Sequence, residues 1–160
     1  MSTQSKQSSR DHLRQEDGSA IVRAHKIPWT RLAAPGLPGL EYKLLHLDDD
    51  RGTATMLMKV DAAQQLDLHK HLGAVEVYVV SGSFYYENGE VFEGEYMFEA
   101  GGVSHAPGSR EGAVIFVVAH GAVQTLDANR KVVATVDNDF LYELARTNGA
   151  VDHLERKRLR

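Results

Sequence analysis

The chain has 160 residues, of which 42% are hydrophobic and 25% are charged, and its formal net charge is -4. This length suits one domain around one core, and this composition is typical of an ordinary globular protein. The charge gives no reason to expect nucleic acid, because that binding depends on clustered Lys and Arg. No apolar run approaches the ~20 residues of a membrane span. The absence of cysteine excludes disulfides and thiol nucleophiles.

The two ends of the chain differ from its middle. Residues 1–20 carry almost no apolar residues at either structural period, which predicts a mobile N-terminal tail. This segment is rich in Ser and Gln and lacks the apolar centre of a secretory signal, so we expect a cytoplasmic protein. The basic run ERKRLR at the C terminus is typical of a solvated tail.

Short strands are predicted over residues 21–137. The segment Thr53–Val60 alternates, which places Ala54, Met56, Met58 and Val60 on one face of a strand. The pair Asn88–Gly89 predicts a type I′ hairpin turn, which has two positive φ angles. AVIFVVAHG predicts a further strand, and VQTLDANRKVVATV a further hairpin. Strands at this spacing indicate an all-β barrel or sandwich.

The C-terminal part, residues 138–160, predicts a helix followed by the basic tail. Asp137 or Asn138 can cap this helix, and an apolar stripe with Leu141 and Leu144 precedes Gly149, which ends it. We expect the helix to pack on the outside of the barrel.

A candidate metal site begins in the stretch DLHKHLGAVEVYVVSG. In a strand, His69 and His71 point to the same side, about 6 to 7 Å apart, so two imidazoles can converge on one ion. A third ligand must come from elsewhere, and the candidate is His105, which a turn at Gly101–Gly102 can deliver.

These stretches resemble the paired signatures of the cupin superfamily, G-x5-H-x-H-x3or4-E-x6-G and G-x5-P-x-G-x2-H-x3-N. The matching residues are His69, His71, Glu76 and Gly82 in the first and Gly94, Gly102 and His105 in the second. The departures are Ala63 for the leading Gly, a shorter Glu-to-Gly interval, Ala100 for the Pro and Ser109 for the Asn. The resemblance implies a double-stranded β-helix, also called a jelly roll.

From about residue 40 onwards, the chain is similar to the acetylacetone dioxygenase and dihydroxyacetophenone dioxygenase group of cupins. That resemblance implies a metal held by three histidines, here His69, His71 and His105. In many cupins a Glu also ligates the metal, but Val75 stands at its usual place and Glu76 is one residue out of phase. Glu76 is then a ligand only if a bulge at Gly73 turns it inward. Otherwise we expect it beside the ligands or in the barrel wall.

Other residues are candidates for catalysis or for the pocket. His120 is either an acid/base group facing the cavity or a hydrogen-bonded residue of the wall, and Glu99 either orients a ligand or substrate or faces solvent. Together with Glu76, these are the candidate proton-handling groups. The candidate wall of the substrate pocket is a set of large apolar side chains: Met56, Met58, Phe84, Tyr86 and Phe116.

Three neutral imidazoles would leave a divalent metal its full charge and up to three open positions. The resemblance to these dioxygenases implies Fe(II), with Zn, Ni or Mn as alternatives. The expected function is dioxygenase cleavage of a C–C bond in a small β-diketone or hydroxyketone, with dioxygen as second substrate. The alternatives are a non-catalytic metal- or ligand-binding cupin that acts as a sensor or structural module, and a metal-assisted isomerase or hydrolase. The resemblance also implies a homo-oligomer, a dimer or tetramer, with neither nucleic acid nor membrane as a partner.

Overall fold

Two large curled sheets, a small two-stranded sheet and one helix make up the described part of the fold. The computed structural model describes residues 11–156. A single 3-10 turn lies at Ala24–Lys26, and the helix α1 spans Asn138–Thr147. The strands in chain order are β1 (Leu13–Arg14), β2 (Ala20–Ile21), β3 (Thr30–Arg31), β4 (Leu40–Asp48), β5 (Thr53–Val60), β6 (Gln64–Gln65), β7 (His69–His71), β8 (Val75–Tyr86), β9 (Gly89–Phe92), β10 (Tyr96–Glu99), β11 (Ser104–His105), β12 (Gly108–Ser109), β13 (Ala113–Ala119), β14 (Val123–Leu126) and β15 (Val132–Val136).

The larger sheet has the order β3-β4-β5-β13-β8-β12-β6, and β9 and β10 also pair with β8. The smaller sheet has the order β11-β7-β14-β15. The pairings between these strands are antiparallel, and strands distant in sequence lie side by side, as β13 does between β5 and β8. This architecture confirms the expected all-β jelly roll.

Alternating side chains build the interior. In β5, Ala54, Met56 and Val60 are buried, as the alternation predicts. Val75, Val77 and Val79 of β8 and Ala113, Ile115, Val117 and Ala119 of β13 are buried in the same way. Apolar side chains occupy most of the space between the sheets, so the interior is mostly apolar.

The helix α1 packs against β4. Its N-cap is Asp137, whose carboxylate accepts a hydrogen bond from the Phe140 N–H at 2.8 Å. Its apolar stripe buries Leu141 and Ala145. The hydroxyl of the fully buried Tyr42 in β4 donates to the Leu141 carbonyl at 2.7 Å, which ties helix to sheet. The expected C-terminal helix is confirmed.

The β8–β9 hairpin differs from the type I′ prediction. Tyr86 pairs with Gly89, so the two-residue loop is Glu87–Asn88 rather than Asn88–Gly89. Neither loop residue has a positive φ angle, and Gly89, with φ 153°, already belongs to β9. The Glu87 carboxylate accepts a hydrogen bond from the Ala106 N–H at 2.7 Å, a contact outside the hairpin that local sequence does not reveal.

The predicted tails lie only partly in the described range. Residues 1–10 and 157–160 lie outside it. Residues 11–20 were expected in the mobile tail, but part of that segment pairs with its neighbours as β1 and β2. The guanidinium of Arg156 contacts the carboxylates of Asp49 and Asp139, which fastens the described C-terminal end to the fold. Within residues 11–156, no helix is long and apolar enough to cross a membrane.

Gly82 allows a close backbone contact in the middle of β8, and its replacement tests the fold. Its φ is 76°, and an added Cβ would lie 2.0 Å from the Gly112 carbonyl oxygen. Gly94 has a similar φ of 84° but open space at the Cβ position. We expect Gly94→Ala to cost about 1 kcal/mol from backbone strain alone, and Gly82→Ala to cost roughly 3 kcal/mol or more. Urea denaturation of both variants measures the difference, and equal losses would contradict the close contact.

Candidate metal centre

Two histidines project from a short buried strand. His69 and His71 lie at the ends of β7, and both are buried while Lys70 between them is partly exposed. The alternation of the strand therefore places both rings on the inner side, as the sequence predicts. β14 flanks this strand on one side, with Thr125 opposite His69 and Val123 opposite His71.

The third histidine arrives on the other side of β7. His105 of β11 pairs directly with His69 and is only 3% exposed. The preceding turn is held by two backbone hydrogen bonds, from the Gly102 N–H to the His71 carbonyl at 2.7 Å and from the His71 N–H to the Val103 carbonyl at 3.0 Å. The Gly101–Gly102 segment thus delivers the ring to the site.

The three rings each direct their Nε2 atom toward one common point. The Nε2 of His105 lies 2.9 Å from the Nε2 of His71 and 2.9 Å from the Nε2 of His69. A metal about 2.1 Å from each nitrogen requires separations of about 3 Å between them. The three nitrogens therefore form a group that can hold a metal ion.

Burial keeps these ligands in the state that binds metal. Removal from water lowers the pKa of His69 to about 4 and that of His71 to about 3, and the neighbouring imidazoles reinforce both shifts. The Nδ1 of His69 lies 3.0 Å from the Asp67 carbonyl oxygen. If Nδ1 carries the proton and donates it there, the Nε2 lone pair of the neutral ring faces the cluster. Neutral nitrogens whose lone pairs face one another need a cation between them.

Glu99 approaches the cluster from a neighbouring strand. Its carboxylate is 6% exposed, with Oε1 2.8 Å from the His105 Nδ1 and Oε2 3.4 Å from the His71 Nε2. The shorter contact has the length of a hydrogen bond but not its angle. The Oε1 of Glu99 and the Nδ1 of His105 are therefore buried without a hydrogen-bond partner. A buried carboxylate oxygen in this condition is costly unless a positive charge lies near it. Glu99 thus fits a bound cation, although it lies outside the tight group of three.

The register explains why the carboxylate comes from β10. Glu99 pairs with Val75, the residue at the place where many cupins carry their Glu. A side chain directly across a strand pair points to the same face, so Glu99 enters the interior beside Val75. The sequence offered Glu99 only as one of two possibilities, because the pairing of β10 with β8 joins distant parts of the chain.

Glu76 and His120 lie away from the three histidines. The Glu76 carboxylate is on the outer face of β8, where it accepts a hydrogen bond from the Tyr96 hydroxyl at 2.9 Å and lies 2.8 Å from the His120 Nε2. Both side chains are about 40% exposed. The bulge that would turn Glu76 inward is not formed at Gly73. Gly73 instead packs tightly against the His120 backbone, where an added Cβ would lie 2.1 Å from the carbonyl oxygen.

The histidines open on an apolar cavity of about 100 Å³. Of the predicted pocket residues, Met56, Met58 and Phe84 line it, whereas Tyr86 and Phe116 do not. Phe116 pairs with Leu57 and Tyr78 on the outer face of the sheet. Because β13 is apolar at every position, its sequence does not indicate which side chains point inward. The pairing of β13 with β5 and β8 determines their direction.

The charged side chains lining the cavity are the carboxylates of Glu99 and Asp137. No Lys or Arg of the described residues lines it. Away from the metal that the histidines would hold, the cavity lining therefore suits a neutral part of a small molecule better than an anionic group.

Comparison with known proteins agrees with this geometry. The model of the ChrR Cupin-like domain family matches residues 17–124. No curated protein matches the sequence. Similar solved structures include an RmlC-like cupin protein from Ralstonia eutropha, with 23% identity over 86% of this chain and 90% of that chain and a TM-score of 0.75.

Two further structures have names that bear on function. Acetylacetone dioxygenase from Acinetobacter johnsonii has 19% identity over 86% of this chain and 95% of that chain, with a TM-score of 0.70. The anti-sigma ChrR from Rhodobacter sphaeroides, solved in complex with SigE, has 17% identity over 61% of this chain and 51% of that chain, with a TM-score of 0.50. At these identities the likeness establishes the fold.

Removal of a single imidazole tests the metal centre. We expect wild-type protein to hold roughly one divalent metal per chain, and His69→Ala, His71→Ala or His105→Ala each to lower the affinity by about 100-fold or more, because two imidazoles make a weak site. His120→Ala is the matched control, since His120 is exposed on the outer face. Elemental analysis after dialysis measures the occupancy. Full occupancy in His105→Ala would remove that residue from the site.

A second pair of variants separates the two carboxylates. We expect Glu99→Gln to lower metal affinity by about 10- to 100-fold, because the buried charge beside His105 and His71 is lost. Glu76→Gln changes the same group on the outer face, and we expect its affinity to equal that of wild type. Competition with a chromophoric chelator measures both. Equal losses would show that Glu99 has no special relation to the centre.

Proposed function

The chain belongs to the ChrR Cupin-like domain family, and on that premise we propose that it is a metal-dependent dioxygenase. The metal is Fe(II), and the reaction cleaves a C–C bond beside a carbonyl in a small β-diketone or hydroxyketone. His69, His71 and His105 are its ligands. Zn, Ni or Mn can occupy the same three nitrogens, because imidazole suits each of these metals.

One observation carries the proposal. Three Nε2 atoms, two of the pairs 2.9 Å apart, meet at the wall of an apolar cavity, so a metal held there has protein on one side and a dry space on the other. The bound metal would supply a Lewis acid with open positions for substrate oxygens and dioxygen. The chain supplies the three neutral ligands, the orientation and the exclusion of water.

The cavity favours the neutral, compact members of the substrate class. A volume of about 100 Å³ is close to the ~150 Å³ of an apolar cavity that accepts benzene. Its lining includes Met56, Met58 and Phe84, and no Lys or Arg of the described residues lines it to pair with an anionic group away from the metal. A small diketone meets these conditions, whereas a substrate with a further carboxylate away from the metal does not.

Glu99 is the proton-handling group that the geometry favours. Of the three candidates, it lies on the cavity, while Glu76 and His120 lie on the outer face. Its carboxylate can hold the proton that a diketone loses from the carbon between its carbonyls. Its Oε1 also lies 2.8 Å from the Nδ1 of His105.

The reaction balances without a further reductant. The bond between the central carbon and one carbonyl carbon breaks, and both oxygen atoms of dioxygen enter the products. One oxygen completes a carboxylic acid and the other becomes the carbonyl of the second fragment, so the organic substrate supplies all four electrons.

A second function deserves a test because of the family itself. The family model is named for ChrR, and a ChrR structure of similar fold was solved with SigE. A non-catalytic cupin that binds metal and acts on a protein partner would use the same three histidines. A metal-assisted isomerase or hydrolase would also use them but would consume no dioxygen.

Oxygen uptake separates these functions. We expect anaerobically iron-loaded protein to consume one dioxygen per molecule of a small β-diketone such as acetylacetone, with release of a carboxylic acid and a second carbonyl fragment. An oxygen electrode and chromatography of the products measure this. His105→Ala and zinc-loaded protein are the controls, and neither should exceed free metal.

Iron content decides how a negative result is interpreted. Protein that holds one iron per chain and yet shows no uptake with a panel of diketones and hydroxyketones would contradict the dioxygenase function. Metal-dependent conversion of such compounds without oxygen uptake would favour the isomerase or hydrolase instead.

A further inference from the structure

The apolar cavity reaches the surface at one edge. Most of the residues that line it are buried, the three histidines and Glu99 among them. The lining residues that are exposed or partly exposed are Met58, Gly121, Val123, Asp137 and Asn138. Val123 of β14 pairs with Val136 of β15, the residue before Asp137. All of these residues except Met58 therefore belong to one edge of the cavity.

A polar cleft of about 890 Å³ lies at this edge. Its lining residues are Asp49, Gly52, Gly121, Ala122, Asp137, Asn138, Asp139, Tyr142, Glu143 and Arg156. Gly121, Asp137 and Asn138 also line the apolar cavity. The two spaces therefore meet at these three residues.

The meeting point lies beside a metal ligand. Val123 pairs with His71, and the Leu72 N–H donates to the Ala122 carbonyl at 2.9 Å. A molecule that enters here therefore arrives close to the histidines. At the other end of β5, Val60 and its partner Leu40 line the cavity and are both buried, which closes the cavity there.

The side chain of Asn138 spans the meeting point. Asn138 is the first residue of α1, and its Nδ2 reaches toward the turn between β4 and β5. This atom lies 3.4 Å from the Asp48 carbonyl oxygen, 3.4 Å from the Asp49 Oδ1 and 3.5 Å from the Thr53 carbonyl oxygen. Hydrogen bonds of this length are weak. The amide can therefore be displaced at low cost.

Stronger contacts hold the frame of the cleft. The Nη2 of Arg156 lies 2.5 Å from the Asp49 Oδ1, and its Nη1 lies 2.8 Å from the Asp139 Oδ1. The same guanidinium lies over the Tyr142 ring, 4.9 Å from its centroid. These contacts connect the β4–β5 turn to α1. The frame of the cleft is thus fixed by groups other than the Asn138 amide.

The cleft carries an excess of negative charge. Four carboxylates and one guanidinium line it, those of Asp49, Asp137, Asp139, Glu143 and Arg156. A cleft of one dominant sign raises the local concentration of ions of the opposite sign and lowers that of ions of the same sign. A divalent metal ion or a neutral ketone therefore passes this cleft more readily than an anion does.

We propose that the polar cleft is the entrance to the metal centre and that Asn138 is the gate residue, the side chain that an entering molecule must pass. The metal ion and small neutral molecules reach the histidines by this route, and the side chain at position 138 sets the size that is admitted. Entry of the metal is independent of the reaction, whereas entry of a diketone rests on the proposed function.

The absence of cysteine allows the gate to be closed chemically after the protein has folded. Asn138→Cys is treated with methyl or benzyl methanethiosulfonate, and a reductant removes either group. Thr147→Cys is the matched control, because Thr147 is exposed on the same helix and lines neither the cavity nor the cleft. Visible absorption follows the uptake of Co(II) by metal-free protein, and a chelator measures its release.

We expect the benzyl group at position 138 to slow both the uptake and the release of cobalt by about 10-fold or more, with an unchanged Kd. A gate changes both rates by the same factor because it raises the barrier and leaves the bound state alone, whereas damage to the site lowers the affinity. The methyl group should have a smaller effect, and reduction should restore the rates. Rates equal to those of modified Thr147→Cys, or a change in Kd that accounts for the whole effect, would overturn the proposal.

A second readout distinguishes failure of the gate from failure of the proposed function. We expect Asn138→Ala to raise kcat/KM for the bulky diketone benzoylacetone by about 10-fold relative to acetylacetone. An unchanged ratio would remove Asn138 from the gate. Cobalt rates that respond as expected in protein that converts no diketone would support the gate and contradict the dioxygenase. Diketone conversion with cobalt rates that ignore the benzyl group would support the dioxygenase and contradict the gate.

Discussion

The convergence of three imidazole nitrogens at 2.9 Å separations is the constraint on which the rest of the structure depends. Buried neutral rings whose lone pairs face one another are unfavourable without a cation, so the chain must hold them there by other contacts. Direct pairing of His105 with His69 across β11 and β7 supplies part of that restraint. The pKa values of His69 and His71, both lowered by burial, keep the rings ready for a metal at neutral pH.

Glycines at this end of the barrel let the backbone segments that carry the histidines touch. A Cβ on Gly73 would lie 2.1 Å from the His120 carbonyl oxygen, and one on Gly101 would lie 3.2 Å from the Gly73 carbonyl carbon. A Cβ on Gly121 would likewise lie 2.7 Å from the Gly73 nitrogen. The strand of His71, the turn before His105 and the end of β13 therefore pack without intervening side chains. The site is positioned by backbone contact, which varies little with side-chain motion.

Local periodicity and motif spacing were sufficient to predict the strands, the capped helix and the three histidines that the structure brings together. They were insufficient where a residue's environment depends on a distant strand. Glu99 enters the cavity because β10 pairs with β8 opposite Val75, and Phe116 faces outward because β13 is fixed between β5 and β8. The hairpin after Tyr86 departs from a type I′ turn, and its loop residue Glu87 accepts a hydrogen bond from the distant Ala106 N–H. In each case a contact distant in sequence decides between two locally acceptable conformations.

The same strands carry the cavity on one face and exposed aromatic side chains on the other. In β8, Val75 and Val77 face the cavity while Tyr78 lies outside, and in β13 Val117 lies inside while Phe116 lies outside. A slip of one residue would exchange the two sets, so the register that lines the cavity also places the aromatic side chains on the outer face. One sheet thus provides both the lining of the cavity and an apolar outer face.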